Sequence, residues 1–446
     1  MLHRKIFDYL DNWKSTPQRK PLLIKGQRQV GKTYAVREFS KKYEHFVEIN
    51  FLENPQFSDI FDGSLSVQSI ISGMKLYFGP SLFVPGSTLL FFDEIQECPK
   101  ARTSLKWFAE DGSYDVIASG SMLGISDNMS GKGISVPVGY EQIVEMKALD
   151  FEEFLTACSI QPESLSKVRE CIHRYSDIPK AYLSVFEKRF RDYMVVGGMP
   201  EAVQKFIDTG DYTASRDVIL SLIQSARSDI NRYNSGVNRI KAGECYDSIP
   251  YQLDQTNKKF MYSRISGEGS RKSAEKYMDN LLWIKSAGYG IFCYSLTGLG
   301  LPTAVYVDRS SFRVYMSDTG MLTNLYGMGS VRAILSSDFS YNMGAVAENA
   351  VADCLYKSGH MPMYYRRTGG DNRMELDFVI EMPDGITVIE VKSGKKREAP
   401  SLTKVNSKAV TRKIMLREGN IGNEAEDVRG YPLFTAAFID ELEGTM

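Results

Sequence analysis

The sequence predicts an α/β protein: a doubly wound parallel sheet at the N-terminus, helices in the middle, and a second α/β domain at the C-terminus. Three observations predict it. The apolar run PLLIK leads into glycine-containing GQRQVGKT and then into the helical pattern TYAVREFSKKY. Leu89 to Phe92 are apolar on both faces, as a strand inside a parallel sheet must be. Near the C-terminus, ELDFVIE and ITVIEVK alternate on either side of a Pro-Asp-Gly turn, the pattern of a hairpin.

Bulk properties narrow the class. At ~150 residues per domain, the length suggests about three domains. Hydrophobic residues make up 43% and charged residues 24% of the chain, a balance suited to folded cores without covalent staples. A net charge of -1 excludes a global basic field, so any nucleic-acid surface must be local. The 6 cysteines form no close pair and the 4 histidines are scattered, which argues against zinc-ligand spacing and a dithiol redox motif. Leu2, Ile6, Phe7, Leu10 and Trp13 fall at helical spacing among charged residues, unlike a signal peptide. No run approaches the ~18 apolar residues of a membrane span, and the expectation is a cytoplasmic protein without a membrane partner.

GQRQVGKT satisfies G-x-x-x-x-G-K-[ST] at every fixed position, with a strand before it and a helix after it. The loop Gly26, Gln27, Arg28, Gln29, Val30, Gly31, Lys32 and Thr33 can turn its N–H groups onto phosphate oxygens. The following helix adds its dipole to the same anion. Lys32 can reach the β- and γ-phosphates, and the Thr33 hydroxyl is placed for Mg²⁺. The cofactors expected are a nucleoside triphosphate and Mg²⁺.

Hydrolysis needs a second set of groups, and STLLFFDEIQECPKA supplies it. Asp93 ends a buried strand, where ligands of open α/β sheets bind, and can hold Mg²⁺ through water. Glu94 follows and can orient or deprotonate the attacking water. A further strand, YDVIASGS, ends in Ser119 and Ser121, two candidates to sense the γ-phosphate; a simple turn is the other reading. HFVEINF (45–51) and VPVGYEQIVEM (136–146) read as further strands, with glycine-rich GISDNMSGKGIS preceding the last. Residues 1–150 are therefore expected to form the doubly wound domain.

The phosphate loop, LLFFDEIQECP, ASGSMLG, LDFEEFL and VVGGMPEAV together resemble the bacterial and archaeal AAA-type ATPases that carry a C-terminal DUF4143 domain. The resemblance spans nearly the whole chain. It implies ATP rather than another nucleotide, a helical lid after the nucleotide domain, a winged helix, and a restriction-endonuclease-like C-terminal fold. Relatives often have Gly-Arg where this chain has Gly139-Tyr140, so no arginine sensor is expected there. Sites of this type often borrow a neighbour's arginine, which makes a homo-oligomer a candidate assembly.

Residues 151–235 read as helices with apolar positions at three and four, the expected lid. Arg189 and Arg191 are candidates to reach a nucleotide, against a plain solvated helix face. Residues 236–305 read as helix, turn, helix and β-wing. Lys258, Lys259, Arg264, Arg271, Lys272 and Lys276 gather there, charge that a recognition helix needs to meet phosphate. A winged helix used only for protein contacts is an equal reading.

Residues 306–446 hold the last constellation. Across the expected hairpin Asp377 and Glu390 can converge, and alternation sets Lys392 beside Glu390. This looks like the Asp…Glu-x-Lys core of restriction-endonuclease-like folds; the resemblance adds Glu348 on the preceding helix. Asp377 and Glu390 would hold a metal ion and Lys392 would activate water against a phosphodiester. The other reading is a retained fold that binds and does not cleave. KSGKKR (392–397) with Arg366 and Arg367 forms a local basic patch suited to a phosphate backbone.

The chain thus reads as an Mg²⁺-dependent ATPase acting on nucleic acid, with DNA as the candidate partner. The alternative is a nucleotide-gated switch that binds DNA or protein and cuts nothing. A third reading, an ATPase with protein partners only, predicts no nucleic-acid binding.

Overall fold

The computed structural model describes residues 2–122, 139–233, 236–266, 270–337, 343–367, 373–394, 398 and 400–442. Residues 3–147 with 286–288 form one compact unit, and 148–285 with 289–446 form a second.

The first unit opens with α1 (Lys5–Ser15), then runs β1 (Leu22–Gly26), α2 (Lys32–Ser40), β2 (His45–Asn50), α3 (Val67–Phe78), β3 (Thr88–Asp93), α4 (Pro99–Asp111), β4 (Asp115–Ser121) and β5 (Gln142–Glu145). The strands lie in the order β2-β3-β4-β1-β5, and every neighbouring pair is parallel. β3 is buried at all positions, as its two-sided apolar run requires. One layer of its core joins Leu90 and Phe92 to Ile70 and Met74 of α3 and Leu105 and Phe108 of α4. The last strand is shorter than the sequence pattern: it spans Gln142–Glu145, and 136–138 lie outside the described residues, as does GISDNMSGKGIS.

The second unit begins with α5 (Phe151–Ala157), α6 (Pro162–His173), α7 (Lys180–Val196), α8 (Pro200–Thr209) and α9 (Tyr212–Tyr233). LDFEEFL is a helix start: Asp150 accepts from the Glu153 amide at 2.8 Å, and Glu153 accepts from the Asp150 amide at 3.0 Å. That reciprocal pair is a capping box, and it delivers Phe151, Phe154 and Leu155 to the core. VVGGMPEAV is a packing motif. Gly197 has φ +73, and a Cβ there would lie 2.0 Å from Asp318 Oδ1. A Cβ on Gly198 would lie 2.1 Å from the Leu149 carbonyl oxygen. Only glycine permits these approaches.

Next come α10 (Gly236–Leu253), the short α11 (Ser263–Ser266) and α12 (Ser270–Ser286), followed by β6 (Gly290–Leu296) and β7 (Val307–Met316). α13 (Thr319–Leu325), α14 (Met328–Ser336) and α15 (Met343–Lys357) lead to β8 (Met363–Arg367), β9 (Met374–Met382), β10 (Gly385–Val391), β11 (Val410–Arg417), β12 (Gly422–Ala425) and β13 (Val428–Pro432). All eight strands form one mixed sheet, ordered β12-β13-β11-β10-β9-β8-β6-β7.

Here the structure departs from the expected division at 305/306. β6, expected as a β-wing, pairs antiparallel with β7 and parallel with β8 inside the C-terminal sheet. β7 was hidden by its sequence: VDRSSFRVYM begins half-polar and carries an arginine in its apolar half. The β9–β10 hairpin has the expected register, from Gly385↔Met382 to Ile389↔Phe378, which sets Glu390 opposite Asp377 at the next step.

Candidate functional site

The nucleotide site is built at the carboxyl ends of β1, β3 and β4. Gly26 closes β1, where a Cβ would lie 2.2 Å from the Met146 carbonyl oxygen. Gln29 and Gly31 both have positive φ, +64 and +94, so the loop turns through a left-handed segment. Gly31 is the N-cap of α2, and its carbonyl accepts the Ala35 amide at 2.9 Å. Gln27 and Val30 are buried, Arg28 is half-buried and Gln29 is exposed.

Lys32 is 7% exposed and is held back over the loop, its Nζ donating to Gly26 O at 2.9 Å and Gln27 O at 3.0 Å. Burial lowers its pKa from the ordinary 10.5 to about 8; Glu94 and Asp93 pull the other way. At neutral pH it is an ammonium group with little water around it, which strengthens its attraction for phosphate.

Asp93 is the organising carboxylate. Thr33 Oγ1 donates to its Oδ2 at 2.9 Å, and Asn50 Nδ2 donates to the same oxygen at 3.2 Å. Oδ1 accepts the Glu94 amide at 3.1 Å and the Ser119 hydroxyl. Glu94 follows with φ +52 and ψ +44, a left-handed conformation uncommon for a residue with a side chain. Gln96 Nε2 donates to Glu94 Oε2 at 2.5 Å. Ser119 is therefore tied to Asp93, and Ser121 stands opposite Gly26 in the β1–β4 register.

Sequence reasoning missed Asn50, Gln96 and Arg4. Asn50 is the register partner of Asp93, and its signal was a polar residue ending a strand. Buried Arg4 donates to the Val30 carbonyl at 3.1 Å and the Lys147 carbonyl at 2.6 Å, bracing the phosphate loop from the N-terminal segment. No local motif marks it.

A second cluster lies in the second unit. Glu348 on α15, Asp377 on β9 and Glu390 on β10 share it. Lys392 Nζ donates to Glu390 Oε1 at 2.6 Å, and the Val391 amide donates to Asp377 Oδ2 at 2.9 Å. Two cations that the motif did not announce are present. Lys258 pairs with Glu348. Arg313 pairs with Glu375, and its Nη1 lies 4.0 Å from Glu348 and 3.9 Å from Asp377. Burial, then Asp377, pushes Glu390 up to about 7 and raises Glu348 as well. No group of three or more His, Cys, Asp or Glu is placed to hold a metal ion among the described residues.

The other basic residues are partly engaged. Arg264 donates to the Asn257 carbonyl at 3.1 Å, and Arg366 to Asn257 Oδ1 at 2.9 Å. Arg189 pairs with Asp192 at 3.0 Å on its own helix. The side chains of Arg271 and Lys272, and residues 395–397, lie outside the described residues. No helix among the described residues is long and apolar enough to cross a membrane.

Three domain families match the chain: an AAA domain over residues 18–155, a domain of unknown function (DUF8612) over 187–332, and a domain of unknown function (DUF4143) over 343–433. No curated protein matches. Among solved structures, the Walker-type ATPase PABY2304 of Pyrococcus abyssi is similar at 13% identity, over 73% of this chain and 96% of that one, with a TM-score of 0.43. The Aeropyrum pernix ORC2 protein in its ADPNP–ADP complexes is similar at 12% identity over 75% and 92%, with a TM-score of 0.33. AMPPCP-bound DnaA from Aquifex aeolicus is similar at 14% identity over 63% and 86%, with a TM-score of 0.27. Likenesses this slight carry no argument, and the fold rests on the parallel sheet and the AAA match. The AAA and DUF4143 matches fall on the two stretches that carry these clusters, so the chain carries an AAA domain and a C-terminal DUF4143 domain, matching an AAA-type ATPase with a C-terminal DUF4143 domain.

Proposed function

We propose that the protein binds ATP with Mg²⁺ at the phosphate loop, hydrolyses it, and uses its nucleotide state to control a contact with nucleic acid made by the second unit. The observation that carries the ATPase reading is the Asp93 carboxylate, held by Thr33, Asn50, Ser119 and the Glu94 amide, with the Glu94 side chain adjacent. Thr33 and Asp93 are oxygen donors of the kind Mg²⁺ prefers, and the ion there would neutralise phosphate charge. The loop amides and the Lys32 ammonium bind and orient the triphosphate. Glu94 takes the proton of the attacking water, and Gln96 positions Glu94.

Support for nucleic acid is the local basic charge of Lys259, Arg271, Lys272 and Lys276, which leads into and along α12 ahead of the β6–β7 hairpin of the sheet. Of the two forms, cutting enzyme or binding switch, the pairing of Lys258 and Arg313 with the carboxylate cluster favours the switch. The test is ATP turnover with Mg²⁺, with and without single- and double-stranded DNA, for wild type and Glu94→Gln, with the same reactions run on a gel. Turnover that needs Glu94 and responds to DNA, with the DNA intact, is the expected result. Turnover indifferent to DNA, with no salt-sensitive binding, replaces nucleic acid with a protein partner. No turnover in wild type overturns the ATPase reading.

A further inference from the structure

The carboxylate cluster is a meeting of opposite charges. Glu348, Glu375, Asp377 and Glu390 face Lys258, Arg313, Arg366 and Lys392, each of these cations within 4.0 Å of a carboxylate. At its centre is Arg313, delivered by β7 opposite Cys293 of β6. Its side chain is 2% exposed, and its guanidinium lies 4.3 Å from the centre of the Tyr364 ring. Nη2 bonds Glu375, while Nη1 is buried 4.0 Å from Glu348 and 3.9 Å from Asp377, too far for a direct hydrogen bond to either, and the Tyr315 hydroxyl lies beside both Arg313 and Glu348. A guanidinium keeps its charge in any protein environment.

An Mg²⁺ ion on these carboxylates would need their oxygens at about 2.1 Å and a shell of further oxygens. It would have to share Glu348 and Asp377 with a buried, fixed positive charge. Lys258 already holds the other oxygen of Glu348, and the Val391 amide already holds one oxygen of Asp377. Glu390 Oε2 is buried without a hydrogen-bond partner, but with Glu348 and Asp377 committed to the chain's own cations and an amide it cannot complete the oxygen shell that a divalent ion needs.

We infer that Arg313, with Lys258, stands in place of a divalent cation between Glu348 and Asp377, so that this cluster is closed by the chain's own cations and does not support metal-dependent cleavage. The cluster is instead a clasp. It ties the β6–β7 hairpin and the segment at Lys258 to α15 and the β9–β10 hairpin. This goes beyond the ATPase reading and does not depend on it.

The experiment is Mn²⁺ binding, by electron paramagnetic resonance, to the full chain without nucleotide. Thr33→Ala is the background, which removes the phosphate-loop ligand. The expected result is no Mn²⁺ site that depends on Asp377. Adding Arg313→Met, an unbranched and uncharged side chain, creates such a site, with Mn²⁺ held tighter than in the Thr33→Ala background by on the order of a hundredfold or more. Asp377→Asn then abolishes it. An Asp377-dependent Mn²⁺ site in the Thr33→Ala background overturns the inference. So does a folded Arg313→Met chain that gains no site. Should that variant fail to fold, the comparison of Thr33→Ala with Thr33→Ala/Asp377→Asn decides alone: a difference overturns the inference, and its absence supports it.

Discussion

Thr33 Oγ1 donates to Asp93 Oδ2 across 2.9 Å, joining the end of the phosphate loop to the end of the buried strand β3. The bond brings the two candidate Mg²⁺ donors to one point although sixty positions separate them. With Asn50 and Ser119 on the same carboxylate, Asp93 has little freedom to turn. A carboxylate held this way needs little reorganisation on meeting its ligand.

Glu94→Gln keeps the shape of the side chain and removes its basicity. ATP turnover should fall by roughly 10²–10⁴-fold, the usual contribution of a general base. ATP affinity should stay within a few-fold of wild type, measured by fluorescent-nucleotide titration. An equal loss of binding and turnover would make Glu94 a binding group instead.

Lys32 sets function against stability. Its folded pKa of about 8 lies below the ordinary 10.5, so between those values the unfolded chain holds more protons and stability rises with pH. The whole window is worth on the order of 3 kcal/mol. Lys32→Met should therefore raise the melting temperature of the nucleotide-free protein near pH 7 while abolishing ATP binding. In wild type, ATP affinity should fall as pH rises through 8 and the ammonium is lost. Thermal melts and nucleotide titrations from pH 6.5 to 9.5 test both.

Arg4→Ala removes charge-assisted bonds to the Val30 carbonyl of the phosphate loop and the Lys147 carbonyl after β5, each worth about 1.5–3 kcal/mol. The first unit should lose stability, and the ATP dissociation constant should rise by roughly tenfold as the loop loosens. Arg4→Lys, which can make only part of the contact, should fall between. An unchanged ATP affinity in a folded Arg4→Ala chain would separate Arg4 from the site.

Gly198→Ala places a methyl group 2.1 Å from the Leu149 carbonyl and 2.9 Å from Lys357 Nζ. The strain should cost about 3 kcal/mol, read as a drop in urea midpoint. ATP binding in the first unit should persist below the transition. A neutral result would mean that the α7–α8 corner moves freely to admit a side chain.

What could be read beforehand was whatever a contiguous motif carries. GQRQVGKT and Asp93-Glu94 are legible because loop, strand end and chemistry are adjacent in the chain. Arg4, Asn50, Lys258 and Arg313 were not, because each meets its partner through a tertiary contact that leaves no local pattern. β7 was missed for a related reason: an arginine in an apolar stretch argues against a buried strand until its carboxylate partners are known. LDFEEFL and VVGGMPEAV were recognisable as signatures without a meaning, since a capping box and a glycine corner reveal themselves only once Leu149, Asp318 and the core are in place. β6 was legible as a strand but its partners were not, because a short apolar run defines a strand and not the sheet it joins.

The β6–β7 hairpin belongs to the DUF8612 match, while β8 and the strands beyond it belong to DUF4143. Yet β6 is hydrogen-bonded to β8. The border between the two matches therefore runs through a continuous sheet and is no place to divide the polypeptide. A fragment starting near residue 343 would leave β8 with a bare edge, open to pairing with other chains. It would also keep Glu348 while discarding Lys258 and Arg313, the cations that this carboxylate meets in the intact chain. Activities assigned from that fragment would describe a different molecule.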